Sequence, residues 1–188
     1  MLVMQAVVAV EKFLDTESPK TVADGVFASV LGAKENIVLT GMPGSGKSSV
    51  GKLVSDKLSR TFIDTDDVIN ERFGFPGDII KEKGEDFFRK LETEILGEFC
   101  REKGLVISTG GGVVEREENY ELIRQNGRVY LIERELSLLD KTGRPLSTDI
   151  SALYERRKDK YEAFSDVRIQ NNKTPEESAE EIIADFNM

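Results

Sequence analysis

A glycine-rich stretch that directly follows a short apolar run limits the possible folds of this chain more than any other feature. The run NIVLT at 36–40 has the pattern of a buried strand, and it leads into GMPGSGKSS at 41–49, which fits G-x-x-x-x-G-K-[ST]. Glycines let the backbone curl so that its N–H groups surround phosphate oxygens at a helix N-terminus. The stretch therefore predicts a phosphate-binding loop rather than an ordinary glycine-rich turn.

The chemistry of this loop assigns roles to its side chains. Lys47 is expected to reach the β and γ phosphates of a nucleotide, and the Ser48 hydroxyl to ligate magnesium. The predicted nucleotide contacts are Gly44, Ser45, Gly46, Lys47, Ser48 and Ser49.

Strand and helix signals alternate from Asn36 onward, which predicts an α/β fold with a parallel sheet covered on both faces. In such sheets ligands bind at the carboxyl ends of the strands. We place one α/β domain at 36–188 and a helical extension or linker at 1–35, with an amphipathic helix to about Leu14 and a short helix around 22–31. The predicted strands are 36–40, 61–65, 105–109, 128–132 and 167–170, and the predicted helices are 47–58, 66–72, 84–103, 115–125 and 175–186. Gly74 and Pro76 are interpreted as the stop of the helix that begins at Asp66.

Composition restricts the class of partner and the compartment. The chain has 26 basic and 35 acidic residues and a net charge of −9, so nucleic acid and anionic membrane are poor partners, because both need a basic footprint. The lone Cys100 excludes an internal disulfide and fits a reducing cytosol, so we expect a cytoplasmic protein. The first ten residues are apolar but lack a basic start and are too short to span a bilayer, so we expect neither a targeting signal nor a membrane span there.

Acidic residues follow the second predicted strand, in the sequence Asp64-Thr65-Asp66-Asp67. On extended chain Asp64 and Asp66 share a face, beside the phosphate loop. We expect Asp64 to hold magnesium together with Ser48, through water, and Asp66 to accept a hydrogen bond and then the proton of the hydroxyl that is phosphorylated. The alternative is that these acids only cap the next helix, and it is strongest for Asp67.

Three further motifs follow in order: GE-x-x-FR-x-x-E at 84–92, STGGG at 108–112 and RPL at 144–146. Together with the phosphate loop and DTD at 64–66, they resemble the successive motifs of the shikimate kinase family, over about 36–186. The resemblance implies a P-loop kinase of the nucleoside-monophosphate-kinase type with a five-stranded parallel sheet in the order 2-3-1-4-5. It also implies Mg2+-dependent transfer of the γ-phosphoryl group of ATP to the 3-hydroxyl of shikimate, in aromatic amino acid biosynthesis.

The same motifs suggest how the acceptor is held. Gly110, Gly111 and Gly112 let the backbone approach the ring and offer N–H groups, where side chains would collide; the alternative is a flexible turn. Arg89 presents a planar fork for the carboxylate, with Glu92 one turn on to orient it, although such an arginine alone is more often solvated. The resemblance matches Arg157 to the family's second carboxylate-binding arginine, with Arg156 beside it as the competing choice.

The resemblance also assigns a lid and nucleotide contacts. Arg144 matches the lid arginine, which closes on ATP and neutralises charge on the moving phosphoryl group; the predicted catalytic residues are thus Lys47, Asp66 and Arg144. The segments before Arg144 and between Arg144 and Arg157 are shorter than in the family, so we expect weaker exclusion of water. Lys173 is the expected adenosine contact, and Lys141 is expected to flank the adenine.

Several alternatives stay open at this point. Another small-molecule kinase, for AMP or gluconate, would share the phosphate loop, and a nucleotide-binding regulatory module without activity would share most of the fold. Residues 1–14 resemble the closing helix of shikimate dehydrogenase, which suggests the relic of a fusion or an association with that enzyme; a plain packing helix is the alternative. The expected partners are shikimate and ATP, and the expected state is a monomer.

Overall fold

The computed structural model describes residues 5, 32, 34–139 and 150–187. The chain divides into two units, Met1–Lys34 and Glu35–Met188, and all strands and helices bounded below belong to the second. The two predicted helices before residue 32, and the predicted functional residues Lys141 and Arg144, lie outside the described residues.

The described part of the second unit alternates strands and helices along the chain. Its elements are β1 (Asn36–Thr40), α1 (Lys47–Leu58), β2 (Phe62–Asp64), α2 (Thr65–Phe73), α3 (Pro76–Lys83), α4 (Glu85–Cys100), β3 (Val106–Ser108), α5 (Glu117–Arg124), β4 (Gly127–Glu133), α6 (Ile150–Phe164), β5 (Val167–Gln170) and α7 (Pro175–Phe186). Short 3-10 turns occupy Val113–Glu115 and Leu136–Leu138.

The five strands form one parallel sheet in the order β2-β3-β1-β4-β5, which confirms the predicted class and strand order. β1 lies at the centre, and Leu39 pairs with Ser108 of β3 on one side and with Tyr130 of β4 on the other. Its five residues are all buried, as expected for a strand that helices cover on both faces. The carboxyl ends of β1, β2 and β3 therefore meet at one edge of the sheet.

Successive residues of β1 point to opposite faces and build two separate cores. Val38 belongs to a cluster with apolar residues of α2 to α6. Ile37 and Leu39 belong to the other cluster, with Val50 and Val54 of α1 and with residues of α7. Within the described residues, no helix combines the length and the apolar run that crossing a bilayer requires.

The structure corrects the predicted elements at four places. Pro76 was interpreted as a stop, but it begins helix α3, because proline at the first helical position lacks only an N–H that needs no partner there. The predicted helix 84–103 ends at Cys100, and helix α6 was not predicted at all. Asp66, expected on extended chain, lies in the first turn of α2, since β2 ends at Asp64.

Candidate active site

A cavity of about 730 Å3 opens where β1, β2 and β3 end. Most residues that the sequence singles out line it: Gly44, Gly46, Lys47, Ser48, Ser49, Asp64, Asp66, Arg89, Gly111, Gly112 and Arg157. Ser45 and Gly110 are buried and do not line it. The phosphate loop forms one side of the cavity. We call the group made of Arg89, Gly111, Gly112 and Arg157 the acceptor wall; it meets the phosphate loop where Gly111 lies against Pro43.

The phosphate loop is fixed mainly by hydrogen bonds to backbone carbonyls. The Lys47 ammonium donates to the carbonyl oxygens of Gly41 and Met42, at 3.0 Å each. Gly46, which caps α1, has φ of 94°, a left-handed conformation that favours glycine. A Cβ at Gly46 would also collide with the side-chain amide of Asn171. The loop therefore depends on glycine here for two independent reasons.

Asn171, just beyond β5, holds this loop from behind. Its side-chain amide donates to the carbonyl oxygen of Ser45 at 2.7 Å, and its own oxygen accepts from Ser178 of α7 at 3.0 Å. The residue is 2% exposed. Lys173, the expected adenosine contact, does not line the cavity; its side chain is 81% exposed, with the ammonium 3.8 Å from Glu177.

Asp64 makes two contacts that tie β2 to the phosphate loop. One carboxylate oxygen accepts from the Ser48 hydroxyl at 2.5 Å, and the other accepts from the backbone N–H of Asp66 at 3.1 Å. Asp64 is therefore the N-cap of α2, so the capping alternative holds for this residue alongside the contact to Ser48. Two hard oxygen atoms, from Ser48 and Asp64, lie together at the mouth of the phosphate loop.

Asp66 borders the cavity from the first turn of α2, two residues after the Asp64 cap. Desolvation by the surrounding protein, followed by the negative charge of Asp64, raises the pKa of Asp66 to about 6, and Lys47 opposes this. Asp66 is also exposed to solvent along the cavity, and water screens part of these charge effects. A carboxylate with a raised pKa beside a phosphate loop is suited to accept a proton.

The acceptor wall is held by charged side chains instead. Arg89 is 8% exposed and donates to Glu92 at 2.5 Å and to Glu85 at 2.8 Å. Its buried Nε has no hydrogen-bond partner. Burial raises the pKa of Glu92, and the positive charge of Arg89 opposes that rise. Arg89 is thus oriented by its own helix, as the spacing of Glu92 predicts, and keeps a donor without a protein acceptor.

The three glycines are needed because side chains of the site already press against the loop. A Cβ at Gly112 would collide with the guanidinium of Arg89, and one at Gly111 would lie 2.7 Å from the ring of Pro43. At Gly110 a Cβ would lie 2.6 Å from a carboxylate oxygen of Asp66. The glycines let the side chains of Asp66, Pro43 and Arg89 approach the backbone, a reason that the sequence did not supply.

Arg157 completes the acceptor wall from helix α6. Its guanidinium donates to the carbonyl oxygen of Gly111 at 3.0 Å and to Glu115 at 2.7 Å, and the residue is 4% exposed. The hydroxyl of Tyr161 donates to the same Gly111 carbonyl at 2.6 Å. Arg156 also lines the cavity, but its side chain is 60% exposed. The geometry favours Arg157 of the two as a fixed, desolvated anion site.

Glu115 is a residue of the site that sequence reasoning missed. It accepts from Arg156 at 3.0 Å, from Arg157 at 2.7 Å and from Lys160 at 2.6 Å. Partial burial would raise its pKa, but the hydrogen bonds from Lys160 and Arg157 lower it to about 2. Glu115 is therefore a permanent negative charge. A lone acid after the glycines carries no motif, so no local signal identifies it.

Arg134, directly after β4, is the second residue that was missed. It lines the cavity, although it belongs to none of the motifs. An arginine at a strand end is itself a weak signal, since ligands of parallel sheets bind there.

Comparison with known proteins identifies the family to which this chain is similar. The sequence model of the shikimate kinase family matches residues 43–187. A shikimate kinase of Dehalococcoides mccartyi is 40% identical over 161 residues, which cover 79% of this chain and 92% of that protein. One from Sulfurihydrogenibium is 39% identical over 160 residues, with 79% and 96% covered.

Solved structures agree. Shikimate kinase from Acinetobacter baumannii, determined in complex with shikimate, superimposes with a TM-score of 0.76 at 28% identity, over 83% of this chain and 94% of that one. The Aquifex aeolicus enzyme gives 0.71 at 34% identity, over 79% and 94%. A gluconokinase from Sinorhizobium meliloti reaches 0.54 at 20% identity, over 82% and 92%, a likeness of fold alone.

Proposed function

This chain belongs to the shikimate kinase family, and we propose how its cavity performs the family's reaction, transfer of the γ-phosphoryl group of ATP to the 3-hydroxyl of shikimate. One observation carries the proposal. The phosphate loop, an acid with a raised pKa and two buried arginines line the same cavity of about 730 Å3. A phosphoryl donor, a proton acceptor and a carboxylate site are thereby brought within reach of one another.

The nucleotide binds along the phosphate loop. Gly44 and Gly46 present backbone N–H groups to the phosphates at the N-terminus of α1, whereas the N–H of Ser45, a predicted contact, donates to the carbonyl oxygen of Met42 at 3.2 Å. Lys47 exchanges its carbonyl contacts within the loop for the β and γ phosphates. Ser49 contributes to the same cradle from the first turn of α1.

The site fits a magnesium ion held by Ser48 and Asp64. Their oxygens lie 2.5 Å apart beside the phosphate loop, and magnesium keeps several waters and needs few protein ligands. When bound, the ion supplies positive charge beside the phosphate oxygens.

Shikimate binds against the acceptor wall. Its carboxylate pairs with Arg89, whose buried Nε has no protein acceptor, and with Arg157, which Glu115 and the Gly111 carbonyl hold in place. The N–H groups of Gly111 and Gly112 complete the floor, whereas the N–H of Gly110, a predicted contact, donates to the Thr65 hydroxyl at 3.1 Å. Held this way, the 3-hydroxyl meets Asp66, which accepts its hydrogen bond and then its proton. Positioning and charge neutralisation then account for the rate, with no covalent intermediate.

Some roles rest on the family resemblance alone. Arg144 closes on ATP from the lid, and a shorter lid admits more water. Lys173 as an adenosine contact has less support, because its side chain is exposed outside the cavity. Cytoplasmic localisation, a monomeric state, and an origin of residues 1–35 in fusion or association with shikimate dehydrogenase belong to the same proposal.

A coupled assay of ADP release tests the function with shikimate, AMP and gluconate offered in parallel. We expect turnover with shikimate and none above background with AMP or gluconate. Turnover with AMP alone would overturn the assignment. If calorimetry records ATP binding while all three acceptors stay unreacted, the chain is a nucleotide-binding module and the proposed reaction is wrong.

A further inference from the structure

Arg134 lies beside the phosphate loop at the end of β4. β4 pairs with β1, Leu131 opposite Thr40, so the chain leaving β4 runs next to the chain that enters the phosphate loop. The two backbones are in close approach, since a Cβ at Gly41 would collide with the carbonyl oxygen of Ile132. Arg134 follows two residues later.

Arg134 also forms part of two neighbouring cavities. It lines the active-site cavity together with Pro43 and Gly44 of the phosphate loop. It lines a second cavity of about 260 Å3 with Met42, Tyr154 and others. The arginine thus borders both the active-site cavity and the smaller one, which Tyr154 of α6 also lines.

The basic residues that line the active-site cavity differ in their partners. Lys47 donates to two carbonyls, Arg89 to Glu92 and Glu85, and both Arg156 and Arg157 to Glu115. Among the described residues, Arg134 makes no hydrogen bond or ion pair, and its Nε is buried without an acceptor. Its neighbour Glu133 is instead bonded to Gln170 at 2.6 Å.

A half-buried guanidinium without an acceptor is unfavourable unless a ligand supplies one. The guanidinium offers a planar fork of donors suited to carboxylate or phosphoryl oxygens. The acceptor's carboxylate already has Arg89 and Arg157. Because Arg134 follows the part of β4 that lies against Gly41 at the start of the phosphate loop, the anion next to it is the phosphate end of the nucleotide.

We propose that Arg134 is a further catalytic residue, whose guanidinium donates hydrogen bonds to the phosphoryl group during its transfer. The inference rests on the proposed function and adds to it a cation on the β4 side of the site. In the transfer, the acceptor oxygen forms a bond to the γ-phosphorus while the bond to the β–γ bridging oxygen breaks, and ADP leaves with that electron pair. Arg134 stays protonated throughout and stabilises charge that develops on the phosphoryl oxygens.

The test compares Arg134→Gln and Arg134→Lys with Arg168→Gln. Arg168 is a matched control because it lies on β5, pairs with Glu162 and is half exposed. For each variant we would measure kcat, KM for both substrates, the Tm, and Kd for ADP and for adenylyl imidodiphosphate, which carries a γ-phosphoryl group that is not transferred.

We expect Arg134→Gln to lower kcat about 100-fold and to weaken adenylyl imidodiphosphate about tenfold, with Kd for ADP changed less than twofold. Arg134→Lys should recover part of kcat, since it keeps the charge and loses the fork. Arg168→Gln should resemble the parent protein in every measurement.

Three results would overturn the inference. An unchanged kcat in Arg134→Gln removes the catalytic role. A rise confined to the KM for shikimate would mean that the ligand is the carboxylate. Equal weakening of ADP and its γ-phosphoryl analogue, with a lowered Tm in both Arg134 variants, would mean that the residue is structural. Because the two Kd values need no acceptor, this comparison stands even if the parent protein fails to phosphorylate shikimate.

Discussion

The phosphate loop and the acceptor wall line the same cavity, but different groups hold them in place. In the loop, Lys47 and Asn171 donate hydrogen bonds to backbone carbonyls, and Gly46 has a left-handed backbone conformation that favours glycine. In the acceptor wall, Arg89 and Arg157 are held chiefly by carboxylates, those of Glu92, Glu85 and Glu115. One side is fixed by main-chain geometry and the other by charge.

The difference predicts distinct responses to substitution. A loop held by its backbone is sensitive wherever a Cβ is added or a left-handed residue is strained. A wall held by charges is sensitive wherever one partner is neutralised, because the other is left buried without compensation. Nucleotide affinity and acceptor affinity should therefore be separable by mutation.

The largest effect is expected at Asp66, which touches both sides of the cavity. Asp66→Asn keeps the shape and removes the proton acceptor, so kcat should fall about 10³-fold. Affinity for ADP and KM for shikimate should change little, since the asparagine side-chain oxygen can still accept the hydrogen bond of the 3-hydroxyl and the proposed nucleotide contacts do not include Asp66. Steady-state kinetics and calorimetry measure both quantities.

Asp67→Asn is the matched control, because Asp67 is the adjacent acid, borders the same cavity and is exposed. It should keep kcat within a fewfold of the parent protein. If Asp66→Asn retained full turnover, Asp66 would not be the base; a comparable loss in both variants would point to general electrostatics instead.

The next largest effect separates the two sides by adding one methyl group to each. Gly112→Ala pushes the Arg89 guanidinium aside, and a misplacement of about 1 Å can cost about 100-fold, which should appear in KM for shikimate. Gly46→Ala strains a left-handed residue and displaces Asn171, so it should weaken ADP instead.

For both variants, calorimetry measures the affinity for ADP, and steady-state titration with shikimate measures its KM. The comparison between the two sides fails if Gly112→Ala weakens ADP as strongly as Gly46→Ala does. Thermal melting of both variants identifies any loss that comes from unfolding.

A smaller effect is expected from pH. The proton acceptor must be ionised, and the pKa of Asp66 is raised to about 6, so kcat/KM for shikimate should fall as pH drops through that value and approach a tenfold loss per unit below it. The residual rate of Asp66→Asn should lose this dependence. A slope that persists in Asp66→Asn would instead belong to Glu92, whose pKa burial also raises.

The phosphate loop could be predicted from the sequence because the residues that bind phosphate are consecutive, at 41–49. The alternation of strands and helices predicted a parallel sheet. The order of its strands followed from the family resemblance, which rests on the order of the motifs. Helix α3 was missed because Pro76 was interpreted as a terminator. The extended geometry predicted for Asp66 was wrong because the Asp64 side chain caps a helix that starts directly at Thr65.

The acceptor wall could be predicted only in part, because some of its contacts join residues that are far apart in the sequence. Arg89 and Glu92 are neighbours on one helix, so spacing alone predicts their contact. Glu115 meets Arg156, Arg157 and Lys160 across 41, 42 and 45 residues of sequence, and only the packing of α6 against the turn at Val113–Glu115 brings them together. Such long-range pairs follow from the fold and not from local patterns.

The smallest effect tests that long-range pairing directly. Glu115→Gln removes the charge that orients Arg157 while keeping a hydrogen-bonding oxygen, and the loss of about 1 kcal/mol expected for one such contact corresponds to a rise of about fivefold in KM for shikimate. Affinity for ADP and kcat should stay near the parent values. Because the pKa of Glu115 lies at about 2, the effect should be constant from pH 5 to about 9.

Glu118→Gln is the control, since Glu118 is exposed and its one ion pair among the described residues is with Arg116. A fivefold change that fell on ADP rather than on shikimate would mean that the charge network reaches across the cavity, and the two sides would no longer be independent.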